Sequence, residues 1–166
     1  MFKKALLAVC IAGASFSSFA NWVGGVSYIN LSNDEGADIS LGGLTGSLGY
    51  QFDAQNGFYF TPELRVGTGI SDDSVGGVDV EMDSFVALSV RGQYSVNQQV
   101  YLFAAPSYAN AELTASGGGT SVTEDEWEFG LGGGIGYQMT DAMSAEFMYE
   151  QYDDADLMSF GVKFSF

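Results

Sequence analysis

Hydrophobic and polar residues alternate along most of this chain. In the stretch 58–70, one face of an extended segment would carry Phe58, Phe60, Pro62, Leu64, Val66, Thr68 and Ile70, and the other Tyr59, Thr61, Glu63, Arg65, Gly67 and Gly69. In 78–96, Val78, Val80, Met82, Val86, Leu88, Val90, Tyr94 and Val96 share a face, while Asp79, Glu81, Asp83, Phe85, Ser89, Arg91 and Gln93 share the opposite one. Period two is the signature of strands with two unlike faces, and the helical period is missing. Eight segments fit: 22–31, 38–52, 57–70, 78–96, 99–113, 124–139, 142–152 and 156–166. Their links alternate in kind. The stretches 53–56, 97–98 and 140–141 are tight polar turns, whereas 32–37, 71–77, 114–122 and 153–155 are acidic or rich in Gly and Ser, and three of these four are longer. This alternation predicts an all-β fold, an eight-stranded antiparallel up-and-down β-barrel with both termini at the short-turn rim.

The first twenty residues stand apart from this pattern. Lys3 and Lys4 precede an apolar run, Ala5 to Ala14, and Ser18-Phe19-Ala20 offers a small-x-small cleavage site. The reading is a secretory signal peptide over 1–20, removed to leave one barrel domain over 21–166. Its apolar run is too short for a membrane span, and no later apolar run reaches the ~18 residues of a transmembrane helix candidate. Cleavage would remove Cys10, the one cysteine, and the chain has no histidine, so disulfides and N/S metal sites are excluded. Loss of Lys3 and Lys4 lowers Lys plus Arg from 5 to 3 against 21 acids and takes the net charge from −16 to −18. Nucleic acid is thereby excluded as a partner, because binding it relies on phosphate neutralisation by Lys and Arg.

Alternation alone leaves open which face points inward. A soluble calycin-like barrel would put its apolar face inside; a membrane barrel does the reverse. Four features favour the membrane form. A solvated surface would carry far more Lys. The polar face is mostly Gly, Ser, Thr and Ala punctuated by Glu and Arg, which suits a narrow lumen. Aromatic residues flank the apolar face, with Phe52, Phe58, Tyr94 and Phe166 near the short-turn rim and Tyr108 and Trp127 toward the other. Export fits a closed barrel, which leaves no backbone edge unpaired in lipid.

The C-terminal SFGVKFSF adds a motif. Ser159, Gly161, Phe164 and Phe166 match a polar, x, Gly, x, x, aromatic, x, aromatic pattern. It resembles the C-terminal assembly signal of bacterial outer-membrane proteins. With it, the whole stretch from Trp22 to Phe166 resembles the small eight-stranded outer-membrane barrels of the OmpA/OmpX type, a porin-like outer-membrane β-barrel domain. The resemblance implies residence in a Gram-negative outer membrane as a monomer. It implies outer-membrane lipid and lipopolysaccharide as surroundings, and periplasmic chaperones and the barrel assembly machinery as partners during export. The role expected is structural or porin-like: envelope integrity, or slow passage of small solutes. The alternative is surface interaction or adhesion through acidic outer loops, and a soluble exported binding barrel comes third. Enzymatic outer-membrane barrels of the deacylase, phospholipase, palmitoyltransferase and omptin types use a histidine, which is absent here, so no catalytic residue, cofactor or metal is expected.

Two constellations remain. All three basic residues after residue 20, Arg65, Arg91 and Lys163, fall on the polar face with Glu63, Asp83, Glu128, Glu146 and Glu150. Basic groups in a lumen with little water need carboxylate partners. A hairpin near Asp154 would set Glu146 opposite Lys163, with Glu63, Arg65, Asp83 and Arg91 on neighbouring strands. The cluster reads as a structural plug, or as a gate that opens a narrow cation-preferring path when its pairs rearrange. The loop acids Asp34, Glu35, Asp72, Asp73, Asp153 and Asp154 form a solvated rim, or share Ca²⁺ or Mg²⁺ with lipopolysaccharide phosphates. The second constellation is Phe129–Met139, where Gly130, Gly132, Gly134 and Gly136 alternate with apolar residues. A strand would turn these four glycines to the lumen. They are expected to make room for Arg65, Arg91 or Phe85 reaching across from other strands.

Overall fold

The computed structural model of the chain describes residues 21–33, 39–75, 77–153 and 155–166, without the side chains of Asn33, Ile39 and Val75. The signal peptide expected at 1–20 and the loop acids Asp34, Glu35 and Asp154 lie outside the described residues. Ten strand segments follow one another: β1 (Trp22–Asn33), β2 (Ile39–Tyr50), β3 (Phe52–Asp53), β4 (Phe58–Ser71), β5 (Asp73–Val75), β6 (Val78–Ser95), β7 (Val100–Gly117), β8 (Thr120–Thr140), β9 (Met143–Gln151) and β10 (Asp156–Ser165). Two of them are short continuations. β3 extends the line of β2 and pairs with β4, Phe52 opposite Phe60; β5 extends β4 and pairs with β6, Asp73 opposite Val80.

The eight remaining strands pair antiparallel with their neighbours in chain order, and β1 pairs with β10, which closes the cylinder. Closure satisfies every strand edge, the condition for crossing hydrocarbon with strands. The barrel is apolar outside and holds its ion-pairing side chains within. Phe129 on the outer face is 62% exposed, while Glu150 on the inner face is fully buried. The soluble calycin-like alternative requires the opposite arrangement and is set aside on that ground.

Aromatic side chains mark both ends of the apolar band. At the short-turn rim Trp22, Tyr50, Phe52 and Phe60 form a chain of ring contacts 4.8–5.5 Å apart, and Phe58 meets Tyr94 at 4.6 Å. Toward the other rim Tyr108 stacks on Trp127 at 5.1 Å. Amphipathic rings prefer the boundary between headgroup and hydrocarbon.

Two segments depart from the sequence reading. The stretch 114–122, expected as a loop, is mostly ladder: β7 and β8 stay paired out to Gly117 opposite Thr120. Gly118 and Gly119 turn the chain with φ of 60° and 85°, the left-handed conformations of a two-residue hairpin turn. The Gly-rich composition marks the turn alone, and Thr and Val on either side continue as strand. The second departure is a bulge in β6. Met82 faces Leu113 and Ser84 faces Glu112, so Asp83 is an extra residue. One inserted residue reverses the parity of everything beyond it. Met82, expected on the outer face, is consequently buried inside, and Asp83, expected in the lumen, is exposed.

Candidate functional site

The lumen is the candidate site. β4 contributes Glu63 and Arg65, β6 contributes Arg91, β9 contributes Glu146 and Glu150, and β10 contributes Lys163. Each lies at an inward parity of its strand, and each meets a partner across the cylinder. Arg65 forks onto Glu150, with Nη1 to Oε2 at 2.5 Å and Nη2 to Oε1 at 2.7 Å. Arg91 forks onto Glu146 in the same way, at 2.7 and 2.5 Å. Lys163 pairs with Glu63 and also donates to Ser47 Oγ at 2.9 Å. The three cations are thus matched by three carboxylates. Two-point Arg–carboxylate bonds are the strong, directional kind, which a cavity of low polarity requires.

Hydroxyls and rings complete the pairing. Glu150 accepts from Ser107 at 3.0 Å and from Tyr152 at 3.1 Å. Glu146 accepts from Tyr101 at 2.6 Å, and the Tyr101 oxygen lies 2.7 Å from Ser144 Oγ. The Arg91 guanidinium sits 3.5 Å above the centre of the Phe103 ring, a cation–π arrangement that substitutes for water on that face.

Of the eight residues expected in the cluster, six converge. Asp83 does not. The bulge carries it out of the lumen, where it accepts from Thr114 Oγ1 at 2.6 Å. Glu128 stays half-buried on the inner face, opposite Ala109 in the ladder and nearer the far rim. The expected neighbour of Lys163 is also corrected. In the β9–β10 ladder Glu146 faces Gly161 and Lys163 faces Ser144, so Glu146 is free to cross the lumen to Arg91. The C-terminal residues lie along the closing seam: Ser159 faces Ile29, Gly161 faces Ser27, Phe164 faces Gly24, and the backbone of Phe166 exchanges hydrogen bonds with Trp22 at 3.0 and 3.3 Å.

The inward glycines of β8 do make room, but for neighbours other than those expected. A Cβ at Gly130 would strike the Tyr152 ring, at Gly132 the Glu150 side chain, at Gly134 the Phe103 ring and at Gly136 the Tyr101 ring. These come from β7, from β9 and from Tyr152 just past the end of β9. Side chains on β7 and β9 lie flat over the glycine stripe instead of reaching across from the opposite wall. Arg91 reaches the stripe only through Phe103, on which it rests.

Beyond the ion pairs, toward the long-link rim, the lumen turns apolar. Ile29, Leu41, Met82, Phe85, Ala87, Ala109, Tyr152 and Leu157 pack together, with Leu31, Val80, Ala111 and Leu113 against them. Of this layer, Phe85 is the residue named on the inner face from the sequence. On the other side of the ion pairs a polar cup of about 400 Å³ opens at the short-turn rim. The lumen therefore has three layers in series: cup, ion pairs, apolar cluster.

Of the rim acids expected, Asp73 is held by local hydrogen bonds. Asp73 accepts from the backbone N–H of Ser40 at 2.9 Å and of Ser74 at 2.8 Å. Those two bonds favour the ionised form and hold its carboxyl below the usual range. Asp79 accepts from Ser74 Oγ, and Asp156 from Tyr149. Among the described residues no three acids gather closely enough to hold a metal ion.

The comparisons with known proteins agree with this geometry. The sequence matches the family described as outer membrane protein beta-barrel domain over residues 5–166. A search of curated protein sequences finds no significant match. Among solved structures, Ail, the attachment invasion locus protein of Yersinia pestis, superposes with a TM-score of 0.62 at 14% identity, covering 88% of this chain and 97% of that one. The N-terminal β-barrel domain of Pseudomonas aeruginosa OprF gives 0.59 at 15% identity, covering 88% and 98%. Neisserial surface protein A gives 0.54 at 15% identity, covering 87% and 96%. These likenesses speak to the fold, and the family match covers nearly the whole chain: the protein belongs to the outer membrane protein beta-barrel domain family, as an eight-stranded transmembrane barrel of the outer membrane.

Proposed function

We propose that this protein is a structural barrel that contributes to envelope integrity, with solute passage limited to slow rearrangement of a plugged lumen. The observation that carries this reading is the succession of two unlike layers. A solute entering from the cup meets three paired charges, whose separation inside the barrel leaves uncompensated ions. Behind them lies a packed apolar layer. A gate made of ion pairs alone could open by exchanging partners; here a second layer of Ile29, Leu41, Phe85 and Leu157 would also have to move. Wide aqueous channels belong to barrels of about 16–18 strands, whereas eight strands leave an interior that side chains can fill. Swelling of proteoliposomes in isosmotic arabinose tests the proposal. Swelling at the rate of protein-free vesicles supports it, and swelling at the rate of a general porin overturns it.

A second reading, surface interaction, is supported by strand length. β6 and β7 have 18 residues and β8 has 21, whereas a tilted strand crosses hydrocarbon with about 9–11. The β7–β8 hairpin therefore stands well clear of the membrane and displays Glu124, Asp125 and Glu126 in the open. Ail, of similar fold, has been crystallised with the heparin analogue sucrose octasulfate. A polyanion of that kind suits this chain poorly, because Arg65, Arg91 and Lys163 are all buried in the lumen. Any partner of the hairpin would be basic. Salt-sensitive retention of the barrel on immobilised polylysine, lost on neutralising Glu124, Asp125 and Glu126, is the result this reading requires.

A further inference from the structure

The cup at the short-turn rim is built differently from the rest of the lumen. Five of the chain's seven glutamines line it: Gln51, Gln93, Gln98, Gln99 and Gln138. Gln51 and Gln93 are half-buried, and among the described residues their side-chain amides have no protein partner. Gln138 donates to Thr140 O at 2.7 Å, which leaves its carbonyl oxygen and one N–H available. Tyr59, half-buried, adds aromatic surface to the same wall. The floor is Arg91 with Glu146 and Lys163 with Glu63, two ion pairs whose charges cancel.

Each part restricts the ligand. Paired charges give the floor no net attraction for an ion, and Asp141, the one further charged residue lining the cup, disfavours an anion. Amide side chains each offer a donor and an acceptor a short distance apart, the pattern that matches vicinal hydroxyls. The Tyr59 ring suits the apolar C–H face of a pyranose ring. A volume near 400 Å³ lies at the small end of the ~300–1,000 Å³ range of ligand sites. The short turns of an outer-membrane barrel face the periplasm, so a ligand would arrive from that side. We infer that the cup binds a neutral saccharide of one or two pyranose rings, presented from the periplasm. A saccharide of this kind occupies the cup without crossing the plug, so the inference stands whether or not the lumen conducts.

The test is ligand-observed saturation-transfer NMR on the folded barrel in a detergent without a sugar headgroup. Maltose and N,N′-diacetylchitobiose are the neutral probes, and glucose 6-phosphate is the charged one. Expected is saturable binding of at least one neutral disaccharide in the millimolar range, with the sugar phosphate weaker. Gln93→Ala/Gln138→Ala weakens it about tenfold, the worth of two lost hydrogen bonds, while Gln151→Ala at the opposite rim leaves it unchanged. Gln98→Ala/Gln99→Ala, in an exposed turn that tolerates substitution, weakens it too and serves if the first pair fails to fold. Heat-dependent gel migration verifies the fold of each variant. No saturable binding of either neutral disaccharide, binding that survives both double substitutions, or tighter binding of the sugar phosphate would overturn the inference.

Discussion

Glu150 is the position where the ion-pair plug can be tested most sharply. Its carboxylate is fully buried, receives two short bonds from Arg65, and accepts from Ser107 and Tyr152. Glu150→Ala removes the only ion-pair partner that Arg65 shows among the described residues. The guanidinium is left inside a cylinder where β8 offers glycine and the wall excludes water. Breaking a buried pair from one side costs about 3–5 kcal/mol. Ser107 and Tyr152 lie 3.0 Å apart and satisfy one another, so their loss adds little. Against a total stability of about 5–15 kcal/mol, this single change brings the barrel close to unfolding. Arg65→Met/Glu150→Leu removes both charges and recovers most of the loss, because a buried pair replaced by apolar groups of similar volume is about neutral. The assay is a urea titration of folding into micelles, followed by tryptophan emission and by heat-dependent gel migration. Glu150→Ala within about 1 kcal/mol of wild type, far below the cost of an unpaired buried charge, would refute the reasoning. So would a double variant no more stable than the single one.

Other outcomes follow from the same geometry. Gly134→Leu blocks folding because the Phe103 ring occupies the space, whereas Gly133→Leu, whose nearest neighbour is Phe103 O at 3.6 Å, folds with wild-type yield in a refolding gel. Asp73 anchors Ser40 and Ser74 while ionised, and its folded pKa lies below the unfolded one; this anchoring is complete above the unfolded value near 3.9 and is lost as pH falls through the folded value. The protection factor of the Ser40 amide, its exchange relative to the intrinsic rate at each pH, should therefore fall in acid, and Asp73→Asn should flatten that dependence. Phe166→Ala removes a ring that packs on Gly24 at the closing seam and lowers outer-membrane yield in cells more than it lowers the yield of refolding in vitro, if the C-terminal pattern serves assembly.

Much of the barrel was legible in the sequence because alternation is a local property. The inward placement of Glu63, Arg65, Arg91 and Lys163 follows from counting along one strand. Partner identity does not. Arg65 and Glu150 are 85 residues apart on strands that are not neighbours, and only closure of the cylinder sets which side chains face across it. Parity also fails wherever a residue is inserted, and nothing in the run Glu81-Met82-Asp83-Ser84 announces a bulge. The apolar layer is hidden in the sequence for a different reason. Ile29, Leu41 and Leu157 sit on inward parities but resemble lipid-facing residues, so hydrophobicity alone assigns them to the wrong face. The glycine stripe shows the intermediate case: its inward direction was readable, while its occupants, Tyr101, Phe103, Glu150 and Tyr152, depended on ladder register.

Planar-bilayer recording tests the central claim, a lumen closed by two layers, most directly. The wild-type barrel should give no discrete conductance steps, and Arg65→Ala or Lys163→Ala should leave the trace unchanged, because the apolar layer around Phe85 and Leu157 still closes the lumen. Discrete cation-selective steps in the wild type, or steps that appear when either single ion pair is broken, would contradict the account.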